Sequence, residues 1–185
     1  MFSKEIDRIR AKIWSVETKG LSPEELYACY GIEKEEITTL VLYMLEQSYI
    51  EYDASLLEIA INVLFTFKKD LTGDFIKIIS VLNCLILCDW HKEHENIAML
   101  LQHFKSPTSV DMLYETALKE YSYLNYDESY ALAVKCIWGL GDIRTDKAVD
   151  KLELLAESSN EVISKNAKKQ IKRIHESGQG GEKNK

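Results

Sequence analysis

The chain has 185 residues, 46% hydrophobic and 29% charged, which is enough apolar material for a full core and excludes disorder over most of its length. Only 2 prolines and 8 glycines, three of the latter at 178, 180 and 181, leave too few turn signals for an all-β sandwich. The formal charge of −7 disfavours general binding to nucleic acid or to an anionic membrane, and suits a basic protein partner.

Helical periodicity runs from end to end. Ile6, Ile9, Ile13 and Val16 form the first apolar stripe. Ser22-Pro23-Glu24-Glu25 reads as a capping box with proline at the first helical position, and Gly31 as the stop. Ile37, Leu40, Val41, Met44 and Leu45 line the next helix, and Leu56 to Phe67 the one after. From Phe75 to Cys88 the only charge is Lys77, which predicts a central helix buried all round. Further helices are expected near 94–104, 108–121, 128–140, 146–157 and 160–176, with 1–176 as one domain and 177–185 as a disordered tail.

The acids are unevenly spread. Residues 17–58 carry a local excess of negative charge, whereas 160–185 are locally basic. Three of the four cysteines lie in apolar helical stretches, where a free thiol behaves as a small hydrophobe. With no signal-peptide core and no long uncharged apolar run, a reduced, cytoplasmic protein is expected, monomeric when free.

A repeat is visible at an offset of 39. Leu101, Phe104, Lys105, Val110, Asp111 and Leu113 fall over Leu140, Ile143, Arg144, Val149, Asp150 and Leu152. A weaker copy places Leu64, Phe67, Lys68 and Asp74 under Leu101, Phe104, Lys105 and Asp111. The run Cys136-Ile137-Trp138-Gly139-Leu140-Gly141-Asp142-Ile143, with the helix at 146–155 and its successor at 162–174, resembles the HEAT-like repeat family. The likeness is best over 94–175. It implies an all-α fold, a right-handed α-α superhelix (solenoid) of four to five helical hairpins. Lys168, Lys169, Lys172 and Arg173 would then cover an outer capping face.

Cys84, Cys88, His91, His94 and Glu95 are the one cluster with the character of metal ligands. Zinc accepts such donors, but their C-x3-C-x2-H-x2-H spacing matches no common finger. The expectation is two core thiols and a solvated histidine loop, with no metal and no cofactor. No phosphate-binding glycine loop, nucleophile elbow or His-Glu-x-x-His helix is present, and Gly139-x-Gly141 ends a helix instead of opening one. An enzyme is not expected.

The segment Glu120, Tyr121, Tyr123, Tyr126, Asp127, Glu128 and Tyr130 concentrates rigid aromatic rings and acids at a connection between helices. Tyrosine is a frequent interface anchor, and acids beside it would meet cations on a partner. These seven residues are the candidate partner-binding set. The competing expectation is that two of the tyrosines pack inward and that Asp127 or Ser129 caps the next helix.

Small, acidic, HEAT-like proteins resemble bacterial immunity proteins, which implies a non-catalytic module that neutralises a cognate toxin domain, often a basic nuclease. The alternatives implied by the same resemblance are a DNA-glycosylase-type enzyme, disfavoured by inner helices poor in bases, and a scaffold or chromophore-lyase-like helper.

Overall fold

The computed structural model describes residues 2–13, 15 and 19–179. Val16, the last member of the first stripe, and residues 180–185 lie outside the described residues. Among the described residues there is no strand, and the fold is all-α. Ten α-helices follow in order: α1 Ser3–Lys12, α2 Pro23–Tyr30, α3 Ile37–Glu51, α4 Ala54–Phe67, α5 Phe75–Leu85, α6 His94–Phe104, α7 Val110–Leu118, α8 Ala131–Ile143, α9 Asp146–Ala156 and α10 Glu161–Gln179. The chain folds as two compact units, 1–81 and 82–185, and the boundary falls inside α5. No helix among the described residues is long and apolar enough to cross a membrane.

In the first unit the capping box forms as written. Ser22 Oγ accepts from Glu25 N (3.2 Å) and Glu25 Oε2 accepts from Ser22 N (2.8 Å). Gly31 adopts the left-handed conformation (φ 67°) that ends α2. Antiparallel neighbours α3 and α4 pack through Leu40, Met44, Leu57, Ala60 and Leu64, all fully buried. Tyr27 lies against Phe67 (ring centroids 4.3 Å apart), and its hydroxyl donates to Asp70, which also pairs with Lys34 (2.8 Å).

The second unit is organised around α8, which packs on α6, α7, α9 and α10, while α7 also meets α9. Two glycines let its neighbours approach. A Cβ on Gly139 would sit 3.1 Å from Leu113 Cδ1 of α7. One on Gly141 would overlap the Gln170 amide and sit 3.0 Å from Gln170 Cβ and Arg173 Nη2 of α10. Polar side chains bridge the same helices. Asp142 accepts from Gln102 of α6 (2.7 Å) and from Arg173 of α10 (2.6 Å). Burial alone would raise its pKa, but those two donors hold the carboxyl below the usual range. Asp111 of α7 pairs with Lys147 and Lys151 of α9.

The offset of 39 holds in the backbone. Lys105 and Arg144 are both left-handed (φ 52° and 58°), and their N–H groups donate to Leu101 O and Leu140 O. The next residues, Ser106 and Thr145, are both extended N-caps whose hydroxyls accept from Thr108 N and Ala148 N. Tyr52-Asp53 makes the same turn between α3 and α4: Tyr52 has φ 55° and Asp53 caps Leu56 N at 2.9 Å. The weaker copy does not share it, because Lys68 stays right-handed (φ −56°).

Three expectations are corrected. Helix α5 is not buried all round: Ile76, Ser80 and Cys84, successive at four-residue spacing, form an exposed stripe opposite the buried Ile78, Ile79, Leu82 and Leu85. An absence of charge does not by itself bury a helix face. Helix α10 does not stop at 176 but continues to Gln179. Arg173 turns inward to Asp142 and packs on the Trp138 ring, while Lys168, Lys169 and Lys172 stay exposed.

Candidate functional site

The end of α5 sets up the surroundings of the tyrosine-rich segment. Four successive carbonyls, that of Leu85 at the end of α5 and those of Ile86, Leu87 and Cys88 in the turn after it, are taken by side chains. His91 Nε2 donates to Leu85 O (2.9 Å) and Tyr121 Oη to Ile86 O (2.7 Å). Lys119 Nζ donates to Leu87 O (2.6 Å) and His94 Nε2 to Cys88 O (2.6 Å). His91 Nδ1 accepts from Glu93 N (3.1 Å), so that imidazole is neutral. His94 Nδ1 lies within hydrogen-bond distance of the Tyr123 hydroxyl (2.8 Å), which also reaches Lys92 O at 3.4 Å. The His91 ring stacks on His94 (4.4 Å), and His94 lies 3.9 Å from Tyr121 at an interplanar angle of 44°.

This reverses the expected placement of the Cys/His cluster. The histidines are the buried members, at 3% and 0% exposure, whereas Cys84 is exposed and Cys88 half-buried. Burial lowers the pKa of His91, and that of His94 falls to about 4. Burial also pushes the Cys88 thiol up. Each histidine is committed to a backbone carbonyl, so neither is oriented on a thiol as a catalytic base. Among the described residues no three His, Cys, Asp or Glu side chains come together as metal ligands.

The seven candidate residues separate into inward and outward sets. Tyr121 is buried at 5% exposure, with its hydroxyl bonded to Ile86 O. Tyr123 is half-buried against His94. Asp127 caps α8: its Oδ2 accepts from Ala131 N (2.8 Å) and its Oδ1 from Ser129 N (3.0 Å). The Ser129 hydroxyl, which also donates to Oδ1, and those two N–H groups hold its carboxyl below the usual range. Glu120, Tyr126, Glu128 and Tyr130 face solvent, with Tyr126 81% exposed. Helix α7 is shorter than expected, because Lys119 turns extended, and α8 is shifted from the expected 128–140 to Ala131–Ile143, behind the left-handed Tyr130 (φ 52°).

A cleft of about 520 Å3 opens beside this segment. The end of α7, the segment itself, the start of α8 and the α9–α10 turn at Ser158–Asn160 form its walls. Glu120, Tyr121, Asp127, Glu128 and Tyr130 line it; Tyr123 and Tyr126 do not. Leu118, 49% exposed, supplies an apolar wall opposite the polar turn and is absent from the candidate set. A signal for it exists in the sequence, since it lies off the Val110, Leu113, Ala117 stripe that faces inward.

Comparison with protein-family models, with curated proteins and with solved structures gives no match to this chain.

Proposed function

We propose that the chain is a non-catalytic protein-binding module of HEAT-like build, and that its partner is a basic toxin domain which it neutralises as an immunity protein. The solenoid reading is supported by the second unit, where α6, α8 and α10 pack as one row and α7 and α9 as another, with the same left-handed turn recurring at an offset of 39. The observation that carries the binding reading is the cleft at 118–130. It leaves large apolar groups (Leu118, Tyr130) and two acids (Glu120, Glu128) facing solvent on a rigid helical frame. Exposed aromatic and apolar anchors within a charged rim are the usual make-up of a protein interface. The assignment to the toxin-immunity class rests on size, charge and the HEAT-like resemblance. Surface plasmon resonance against the product of the neighbouring gene tests it. Saturable binding that protects cells from that product supports the reading; absence of both overturns it.

A further inference from the structure

The groups lining the cleft differ in whether their charge is already used, and that decides what it can hold. Lys119, the cationic side chain among those lining it, already has internal partners. Lys119 pairs with Asp89 (2.7 Å), donates to Leu87 O and lies over the Tyr121 ring. The Ala131 N–H that opens α8 is taken by Asp127 Oδ2. Those of α10 at Val162 and Ile163 are taken by Asn160 Oδ1 (3.0 and 3.2 Å). Two helix N-termini border the cleft, yet neither leaves these donors free for an anion. The acids differ. Asp127 is spent on its cap, but Glu120 and Glu128 are exposed and pair with no cation among the described residues. The unspent charge is negative, and it stands beside the exposed Leu118 side chain and the 44% exposed Tyr130 ring.

We infer that this cleft is the socket for an arginine side chain of a protein partner, with its guanidinium on Glu120 and Glu128 and its methylene stem on Leu118 and Tyr130. The inference rests on the protein-binding reading and names what that site holds. A planar guanidinium offers a fork to two carboxylates and a face to a tyrosine ring, which a lysine ammonium does not. The volume suits the group, since small-ligand sites span roughly 300–1,000 Å3. An uncharged apolar side chain would leave both carboxylates without a counter-charge.

The test is a titration of the full chain, followed by amide chemical shifts in nuclear magnetic resonance, with N-acetyl-arginine amide as the probe. Saturable shifts are expected at Leu118–Glu120 and Glu128–Ala131. Binding should be at least about fivefold weaker for N-acetyl-norleucine amide, for N-acetyl-lysine amide and for the double variant Glu120→Gln, Glu128→Gln, whose side chains are exposed and leave the fold intact. No saturable shift, or equal binding of the norleucine or lysine probe, or an unchanged affinity in the double variant, overturns the socket. Inorganic phosphate moving the same amides would also overturn it. Its failure separates from that of the protein-binding reading: a toxin domain that binds while the arginine probe does not removes the socket alone. An arginine probe that binds while no basic protein does removes the partner.

Discussion

Gly139 and Gly141 lie on the same helix but face different neighbours, so the same mutation at both tests the packing of the second unit. In a helix interior, alanine is favoured over glycine by about 1 kcal/mol. At Gly139 the new methyl meets Leu113 Cδ1 at 3.1 Å and nothing else closer than 3.6 Å. A leucine methyl can yield a few tenths of an ångström, so Gly139→Ala is expected to be neutral to within about 0.5 kcal/mol, the propensity gain offsetting the crowding. At Gly141 the methyl meets Gln170, which has no exposed surface to move into, and Arg173, which is held by Asp142. Two of the contacts at 3.0 Å involve a Cβ and a tethered guanidinium, neither of which can swing away. Overpacking of this kind costs ~1–3 kcal/mol, so Gly141→Ala is expected to be destabilised by up to about 2 kcal/mol after the propensity gain. For a chain of this size that lowers the melting temperature by up to roughly 8 °C. Urea unfolding of both variants, with Gly141→Ala also combined with Gln170→Ala, reads the difference. The double variant should recover most of the loss, a coupling that separates this clash from a general weakening of α8. Equal effects at the two glycines, or no recovery on truncating Gln170, would refute the close approach of α8 and α10.

Three further outcomes are expected. His94 is neutral and buried, with its pKa lowered to about 4, against ~6.5 when unfolded. The unfolded chain therefore takes up the proton first: the contribution is complete above pH 6.5 and lost as pH falls towards 4, on the order of 3 kcal/mol in all, and His94→Gln should flatten that part of the stability profile in urea titrations. Lys105 is exposed and left-handed, a conformation that costs an L-residue ~1–2 kcal/mol, so Lys105→Gly should raise the urea midpoint by an amount equivalent to about 0.5–1 kcal/mol. Gln170 has no exposed surface, and neither end of its amide has a hydrogen-bond partner, so Gln170→Met, similar in shape and apolar, should stabilise by about 1–2 kcal/mol in thermal melts.

What the sequence made legible were the features encoded by local chemistry. The capping box at Ser22, the stop at Gly31 and the helical periods of α3, α4, α6 and α9 follow from side chains acting on their own backbone. The turns at Tyr52, Lys105, Tyr130 and Arg144 were not legible as left-handed, because none carries glycine. The exposed stripe of α5 was hidden for another reason: Ile76 and Cys84 are apolar residues left in solvent, and composition cannot say which face a neighbour will cover. The site shows the same division. Asp127 was recognisable as a possible cap, but the bonds of His91, Tyr121, Lys119 and His94 to the Leu85–Cys88 carbonyls depend on residues that meet only in three dimensions. Those long-range bonds turn half of an apparently interface-like segment inward and leave Glu120, Glu128 and Tyr130 at the cleft.

The central claim is that this cleft binds a basic protein. Its most direct test is surface plasmon resonance of the wild-type chain and of the Glu120→Gln, Glu128→Gln, Tyr130→Ala triple variant against the neighbouring-gene product, each at two salt concentrations. The account predicts wild-type association that slows at high salt, and a variant weakened by roughly 10- to 100-fold with a smaller salt dependence. A variant that keeps wild-type rates and salt dependence would contradict it and place the interface elsewhere on the chain.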